Sequence, residues 1–386
     1  MIERIAASKI EQLAATFKSV AVTGPRQSGK TTLAKALFPE KAYLSLENPD
    51  VRRFALEDPR GFLSRYQSGA IFDEAQRAPE LFSYLQEILD DSPEPGRFIL
   101  TGSNNFLLQQ NISQTLAGRV AILNLLPFST AELFAGFNDV PDEDQLIFKG
   151  LYPPIYEPGI PPEDWFPNYL RTYIDRDVRQ IKNITDLIVF ERFIRLLAGR
   201  NGQELNLTSL AVDTGVDTKT IQSWIGILES SFIIYLLRPH YKNFNKTLIK
   251  RPKVYFYDTG LVCSLLGISS VEQLPLHPLR GALFESLVVT ELVKQRTNAG
   301  KPVNLYYWRD KTGHEVDIII DKGLSLVPVE IKAGKTVNNE FFGNITYWNK
   351  LSGATKGYIA YAGNQIEERS NGITVLNWFE LLKRDV

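Results

Sequence analysis

Eight consecutive residues, Gly24, Pro25, Arg26, Gln27, Ser28, Gly29, Lys30 and Thr31, constrain this chain more than any other stretch. They satisfy the pattern G-x-x-x-x-G-K-[ST], they follow the apolar run 19–22, and a helix-forming stretch begins near Lys30. Gly24 and Gly29 let the backbone wrap closely enough for its amides to face a triphosphate. The following helix turns its positive end toward the same point, Lys30 reaches the outer phosphates, and the Thr31 hydroxyl ligates magnesium, with Thr32 beside it. ATP and Mg2+ are therefore the expected ligands. A loop of this kind requires a strand before it and a helix after it, which places it in a mostly parallel α/β sheet.

The rest of the first block supplies such a sheet. Strand-like runs at 19–22, 42–46, 69–72, 98–100 and 120–123 alternate with helical stretches. The third run ends in Asp73 and Glu74, which suits Asp73 to holding magnesium through water and Glu74 to polarising the attacking water. The fourth ends in Thr101, Gly102, Ser103 and Asn104. Ser103 or Asn104 is a candidate contact between the acids and the outermost phosphate, with a plain polar turn as the alternative. Arg119 is a candidate charge-stabilising group or an ordinary surface arginine.

With 386 residues the chain is long enough for two to three such blocks. The first runs over 1–135. A proline-rich stretch, 136–168, opens a middle block to 260, in which helices at 164–181, 186–197 and 205–230 (the last broken at Gly215) precede strands at 232–237 and 254–257. That order predicts a helix-turn-helix with a two-stranded wing. The third block, 261–386, reads as a separate α/β unit.

Charge and cysteine content limit what these blocks do. Lys plus Arg (43) nearly balance Asp plus Glu (44), so a DNA contact has to be local. The segment from Lys219 to Lys253 offers one. Lys219, Arg238, Lys242, Lys246, Lys250, Arg251 and Lys253 face one acid, Glu229, with Trp224, Tyr235, Tyr241 and Phe244 interleaved. A lid on the nucleotide block is the equal alternative for this wing. A single cysteine, Cys263, and three histidines exclude a disulfide framework and a zinc-ligand spacing, and fit a reducing cytoplasm. No stretch reads as a signal peptide or a membrane span.

In the third block, 329–332 alternates apolar and charged residues, which puts Glu330 and Lys332 on one strand face. Glu315 and Asp317 are likewise two apart. Asp317, Glu330 and Lys332 can thus converge, the carboxylates on Mg2+ or Mn2+ and the lysine on a water or on charge at phosphorus. Glu285 lies on the expected helix 281–295. Each of these charges taken singly is more often a surface residue.

The ordered set 73–77, 100–103, 116–119, 173–178 and 313–317 resembles the bacterial and archaeal AAA-family ATPases that end in a PD-(D/E)XK nuclease-like domain. The resemblance spans nearly the whole chain. It implies a multidomain α/β protein comprising a P-loop ATPase, a winged-helix middle and a restriction-endonuclease-like C-terminal unit, and homo-oligomers are possible. It also implies catalytic roles for Glu74, Glu285, Asp317, Glu330 and Lys332, although Val316 stands where the motif has proline. The helix around 344–348 lacks the glutamine of RecB-like nucleases. The pair Arg176 and Asp177 matches the family motif, but no role follows from it. A regulatory switch that only docks DNA or protein is the competing expectation.

Overall fold

The computed structural model describes residues 2–91, 94–103, 108, 112, 114–137, 141–174, 186–240 and 250–384. The N-terminal sheet consists of β1 (Ser19–Thr23), β2 (Ala42–Ser45), β3 (Ala70–Asp73), β4 (Phe98–Gly102) and β5 (Val120–Asn124), all parallel, in the order β2-β3-β4-β1-β5. Its central strands are buried on both faces, so they read as continuous apolar runs rather than as alternation. Val20, Val22, Ile71 and Ile99 pack on one side, and Ala21, Phe72, Phe98 and Leu100 on the other.

Helices occupy the proline-rich stretch as well. Glu143–Lys149, Pro153–Tyr156 and Pro162–Tyr173 are helical, the last two with proline in the first turn, where its missing N–H leaves no hydrogen bond unmade. The helix expected over 164–181 is seen as far as Tyr173, and the motif residues Asp175, Arg176, Asp177 and Val178 lie outside the described residues. Leu187–Ala198, Leu207–Thr214 and Thr218–Ser230 follow. Gly215 ends the second of these in the left-handed conformation, at φ +77, and Asp217 caps the third through the Thr220 amide. Strands β6 (Ile234–Leu237) and β7 (Lys253–Phe256) then pair antiparallel. Tyr241, Lys242, Phe244 and Lys246 lie outside the described residues.

The C-terminal sheet is mixed. It comprises β8 (Leu305–Arg309), β9 (Glu315–Asp321), β10 (Leu326–Lys332), β11 (Gly357–Tyr361), β12 (Glu367–Glu368) and β13 (Ile373–Asn377), in the order β12-β13-β11-β10-β9-β8. Helix Arg280–Asn298 packs on it with Val329 and Ile331, whereas Trp348, from helix Gly343–Ser352, packs with Ile319. Strand β13 is not legible beforehand, because Asn371 and Gly372 precede it and the final helix starts at Trp378 directly after it. The expected boundary at 260/261 falls inside helix Thr259–Leu266, which packs on Glu143–Lys149, Pro162–Tyr173 and Leu187–Ala198. One apolar core runs through the middle and C-terminal units and reaches Ile2, Leu126 and Phe128 of the first. Among the described residues no helix is long and apolar enough to cross a membrane.

Candidate functional site

Strand order assembles the first site. Because β4 lies between β1 and β3, the loop after β1, the polar end of β4 and the acids ending β3 share one edge of the sheet. Gly24 has φ +142, and a Cβ there would sit 2.1 Å from the Leu125 carbonyl oxygen, so only glycine lets the loop pass. Gly29, at φ +93, begins helix Lys30–Leu37 with no side-chain cap, which leaves first-turn amides turned into the loop. The Lys30 ammonium donates to the Gly24 and Pro25 carbonyls at 3.0 and 2.6 Å. The Ser28 hydroxyl is buried there without a hydrogen-bond partner. Arg26 is half-buried, whereas Gln27 and Thr32 are exposed.

Asp73 sits at the centre of this edge. Its Oδ1 accepts from the Thr31 hydroxyl at 2.9 Å and from the Thr101 hydroxyl, and its Oδ2 accepts from Tyr43 at 2.7 Å. Burial and the Asp73 carboxylate push the Tyr43 phenol up to about 12, so it stays a donor. Glu74 adopts φ +53, a left-handed conformation that costs a non-glycine residue ~1–2 kcal/mol. Its carboxylate is held by Ser103 at 3.1 Å and by Gln76. Such strain recurs where a side chain has to be aimed. A glycine cradle, an unpartnered buried hydroxyl and hard oxygen donors on Thr31 and Asp73 together fit a nucleoside triphosphate with magnesium.

Of the two candidates at the end of β4, Ser103 bonds to Glu74, while Asn104 lies outside the described residues. Thr101 and Gln76 lie inside the motifs 100–103 and 73–77 but carry no assigned role in the sequence, and Tyr43 is one polar residue in an unremarkable position. Arg119 requires a correction. It immediately precedes β5, at the sheet edge opposite the loop, and its guanidinium pairs with Asp90. Within one chain it is not at the nucleotide site.

The loop is also tied to the other units. Trp165 Nε1 donates to Gln27 Oε1 at 3.0 Å. The buried Arg4 donates to the Ser28 carbonyl at 2.7 Å, the Leu126 carbonyl at 2.7 Å and Glu132 Oε1 at 3.1 Å. Glu132 lies in helix Thr130–Gly136, whose first amide and the Thr130 hydroxyl both donate to Glu291 Oε2 at 2.7 Å. Lys294 bridges Glu291 and the Phe128 carbonyl, each at 2.9 Å. Helix Arg280–Asn298 carries Glu291 and Lys294, and also Glu285.

The C-terminal charges form a second cluster. The β9–β10 pairing ends at Ile318 and Val329, and beyond it Asp317 Oδ2 accepts from the Ile331 amide at 2.8 Å. Glu330 is buried, and its Oε1 accepts from Lys332 at 2.7 Å and from Asn344 at 3.0 Å. Burial, and next the charge of Asp317, push Glu330 up to about 8. Asn344 lies in helix Gly343–Ser352. Glu285 accepts from Tyr255 and, at 3.0 Å, from Lys253, which also pairs with Glu315. Burial pulls the Lys253 ammonium down, but Tyr255, Glu285, Asp317 and Glu315 outweigh it and hold the group well above the ordinary lysine value.

Glu285, Glu315 and Lys253 open onto a cleft of about 880 Å³ between the middle and C-terminal units, with Arg200, Arg251 and Lys311 on its walls. Among the described residues no group of three or more His, Cys, Asp or Glu side chains is placed to hold a metal ion. The expected metal ligands Asp317 and Glu330 are both engaged by groups of the protein itself. Asp317 is engaged by a backbone amide, and Glu330, Glu285 and Glu315 are each paired with a lysine.

Residues 16–134 match the family model described as AAA domain; residues 141–272 and 280–381 match two domains of unknown function, DUF8612 and DUF4143. The chain is 31% identical over 339 residues to the uncharacterized proteins Rv2008c of Mycobacterium tuberculosis and Mb2031c of Mycobacterium bovis, covering 86% of this chain and 74% of each of them. A solved structure, the Walker-type ATPase PABY2304 of Pyrococcus abyssi, is 16% identical at a TM-score of 0.45, covering 69% of this chain and 96% of its own.

Proposed function

Because the chain belongs to the family of these two mycobacterial proteins and carries an AAA-type ATPase domain, we propose that it binds and hydrolyses ATP and passes the nucleotide state to its C-terminal unit. The observation that carries this reading is the edge where Thr31 and Thr101 hold Asp73 while Ser103 and Gln76 aim Glu74. Bound ATP and magnesium would supply an electrophilic outer phosphate. The loop amides and Lys30 would cradle that phosphate, Thr31 and Asp73 would hold the ion, and Glu74 would take the proton of the attacking water. The buried contacts from Ser28 through Arg4 to Glu132, and from Thr130 of the same helix to Glu291, support transmission, since they join the loop carbonyl to the helix that carries Glu285.

The test begins with phosphate release by the purified chain. Lys30→Ala is expected to weaken ATP binding at least ~tenfold, because a charge-assisted contact to the outer phosphates is lost. Unchanged affinity by calorimetry would remove the assignment.

A second reading, that the C-terminal unit is nuclease-like and cuts nucleic acid, is favoured by the nearness of Asp317, Glu330 and Lys332 to one another and by Glu285, which lines the cleft bearing Arg200, Arg251 and Lys311. In this reading the two-stranded β6–β7 element serves as the wing of a winged helix, and DNA is the partner. Cleavage of linear and single-stranded substrates, measured with and without ATP and with Mg2+ or Mn2+, should fall at least ~tenfold in Asp317→Ala and in Glu330→Ala, while ATP hydrolysis persists. A wild-type chain that cuts nothing under any of these conditions would leave the regulatory switch, docking DNA or protein, as the function.

A further inference from the structure

One of the cations that engage the C-terminal carboxylates comes from a different unit. Lys253 begins β7 of the middle unit, yet its ammonium lies against Glu285 of helix Arg280–Asn298 and Glu315 of β9. Its side chain is 5% exposed. We infer that Lys253 is a resident cation on Glu285, which denies that carboxylate to a divalent ion held with Asp317 and Glu330, so that the cluster is closed to metal until β7 withdraws. The inference rests on reading Glu285, Asp317 and Glu330 as one site.

At Glu285 the Lys253 ammonium and a metal compete for one carboxylate. A hard divalent ion collects several oxygen ligands at about 2.0–2.6 Å. An ammonium already bonded to the same carboxylate repels the ion and uses the lone pairs it requires. Lys253 is also not free to swing away on its own. Tyr255, two residues along the same strand, donates to Glu285, and the Arg251 carbonyl accepts from Tyr307 of β8. Just beyond β6, the His240 amide donates to the Tyr307 carbonyl at 2.7 Å, and the Arg238 carbonyl accepts from the Tyr307 amide at 3.1 Å. Opening the cluster therefore means moving the two-stranded element off the edge of β8. That is a motion between units, of the kind an ATPase domain can drive.

Calorimetric titration with Mn2+ tests this on the full chain carrying Asp73→Asn, which removes the ion site of the nucleotide loop. With Lys253 present no saturable binding is expected. Lys253→Met, which keeps the aliphatic stem, should bind one ion on the order of tenfold or more tighter, and adding Glu285→Gln should abolish that gain. Lys253→Arg should stay closed. Thermal melting and circular dichroism verify that each variant is folded. If the chain with Lys253 intact binds Mn2+ and Asp317→Ala removes the binding, the resident-cation inference falls while the nuclease reading stands; that titration needs no Lys253 variant. If a folded Lys253→Met chain also binds no ion, the inference falls, and the reading of these carboxylates as a metal site falls with it.

Discussion

Glu74→Gln is expected to keep ATP bound while slowing its hydrolysis by ~10²–10⁴-fold, the range contributed by a positioned general base. The amide is nearly isosteric, so the left-handed turn at φ +53 and the contacts to Ser103 and Gln76 can persist. What is lost is the ability to take a proton from water. Single-turnover hydrolysis measured beside nucleotide affinity separates the two effects. Wild-type turnover in this variant would move the base elsewhere on the strand edge. Ser103→Ala should give a smaller loss, since it frees the carboxylate to rotate without removing it.

The second large effect is expected at Arg4, far from the phosphates in sequence and outside every recognisable motif. Its guanidinium is buried against Glu132 and two carbonyls, one of them within the nucleotide loop. Arg4→Ala leaves the Glu132 carboxylate buried with a charge and no cation, a change that costs ~3–5 kcal/mol. The urea midpoint should drop accordingly, and ATP affinity should weaken because the Ser28 carbonyl loses its anchor. A double variant, Arg4→Met with Glu132→Gln, should recover part of the stability, since no buried charge remains. A midpoint unchanged in Arg4→Ala would mean that Glu132 finds water or another donor. It would also remove the proposed route from the loop to helix Arg280–Asn298.

The nucleotide loop was legible from residue order alone because its chemistry is local. A glycine that must approach another backbone, a lysine and a hydroxyl at the start of a helix lie within eight residues, and no distant segment can change that spacing. Asp73 and Glu74 were legible for a related reason, being the polar end of a run buried on both faces. Period-two alternation likewise placed Glu330 and Lys332 on one side of their strand, and they do bond to each other.

Other groups depend on which strands become neighbours and which units touch. Thr101 reaches Asp73 only because β4 inserts between β1 and β3, and parallel strand order is not written in any one strand. Arg119 follows a glycine in a promising motif, but the parallel register of β5 sends it to the far edge of the sheet. Arg4 is one cation near the start of the chain and Lys253 one of seven in a basic stretch, places where a solvated lysine or arginine is the ordinary outcome. Tertiary packing encloses one with Glu132 and the other with Glu285 and Glu315. The sequence by itself thus determined what each strand end can do chemically. Only the tertiary structure decided which charges share a dry space, because pairing across 128 residues for Arg4 and 32 for Lys253 is set by how whole units pack and leaves no local pattern to read.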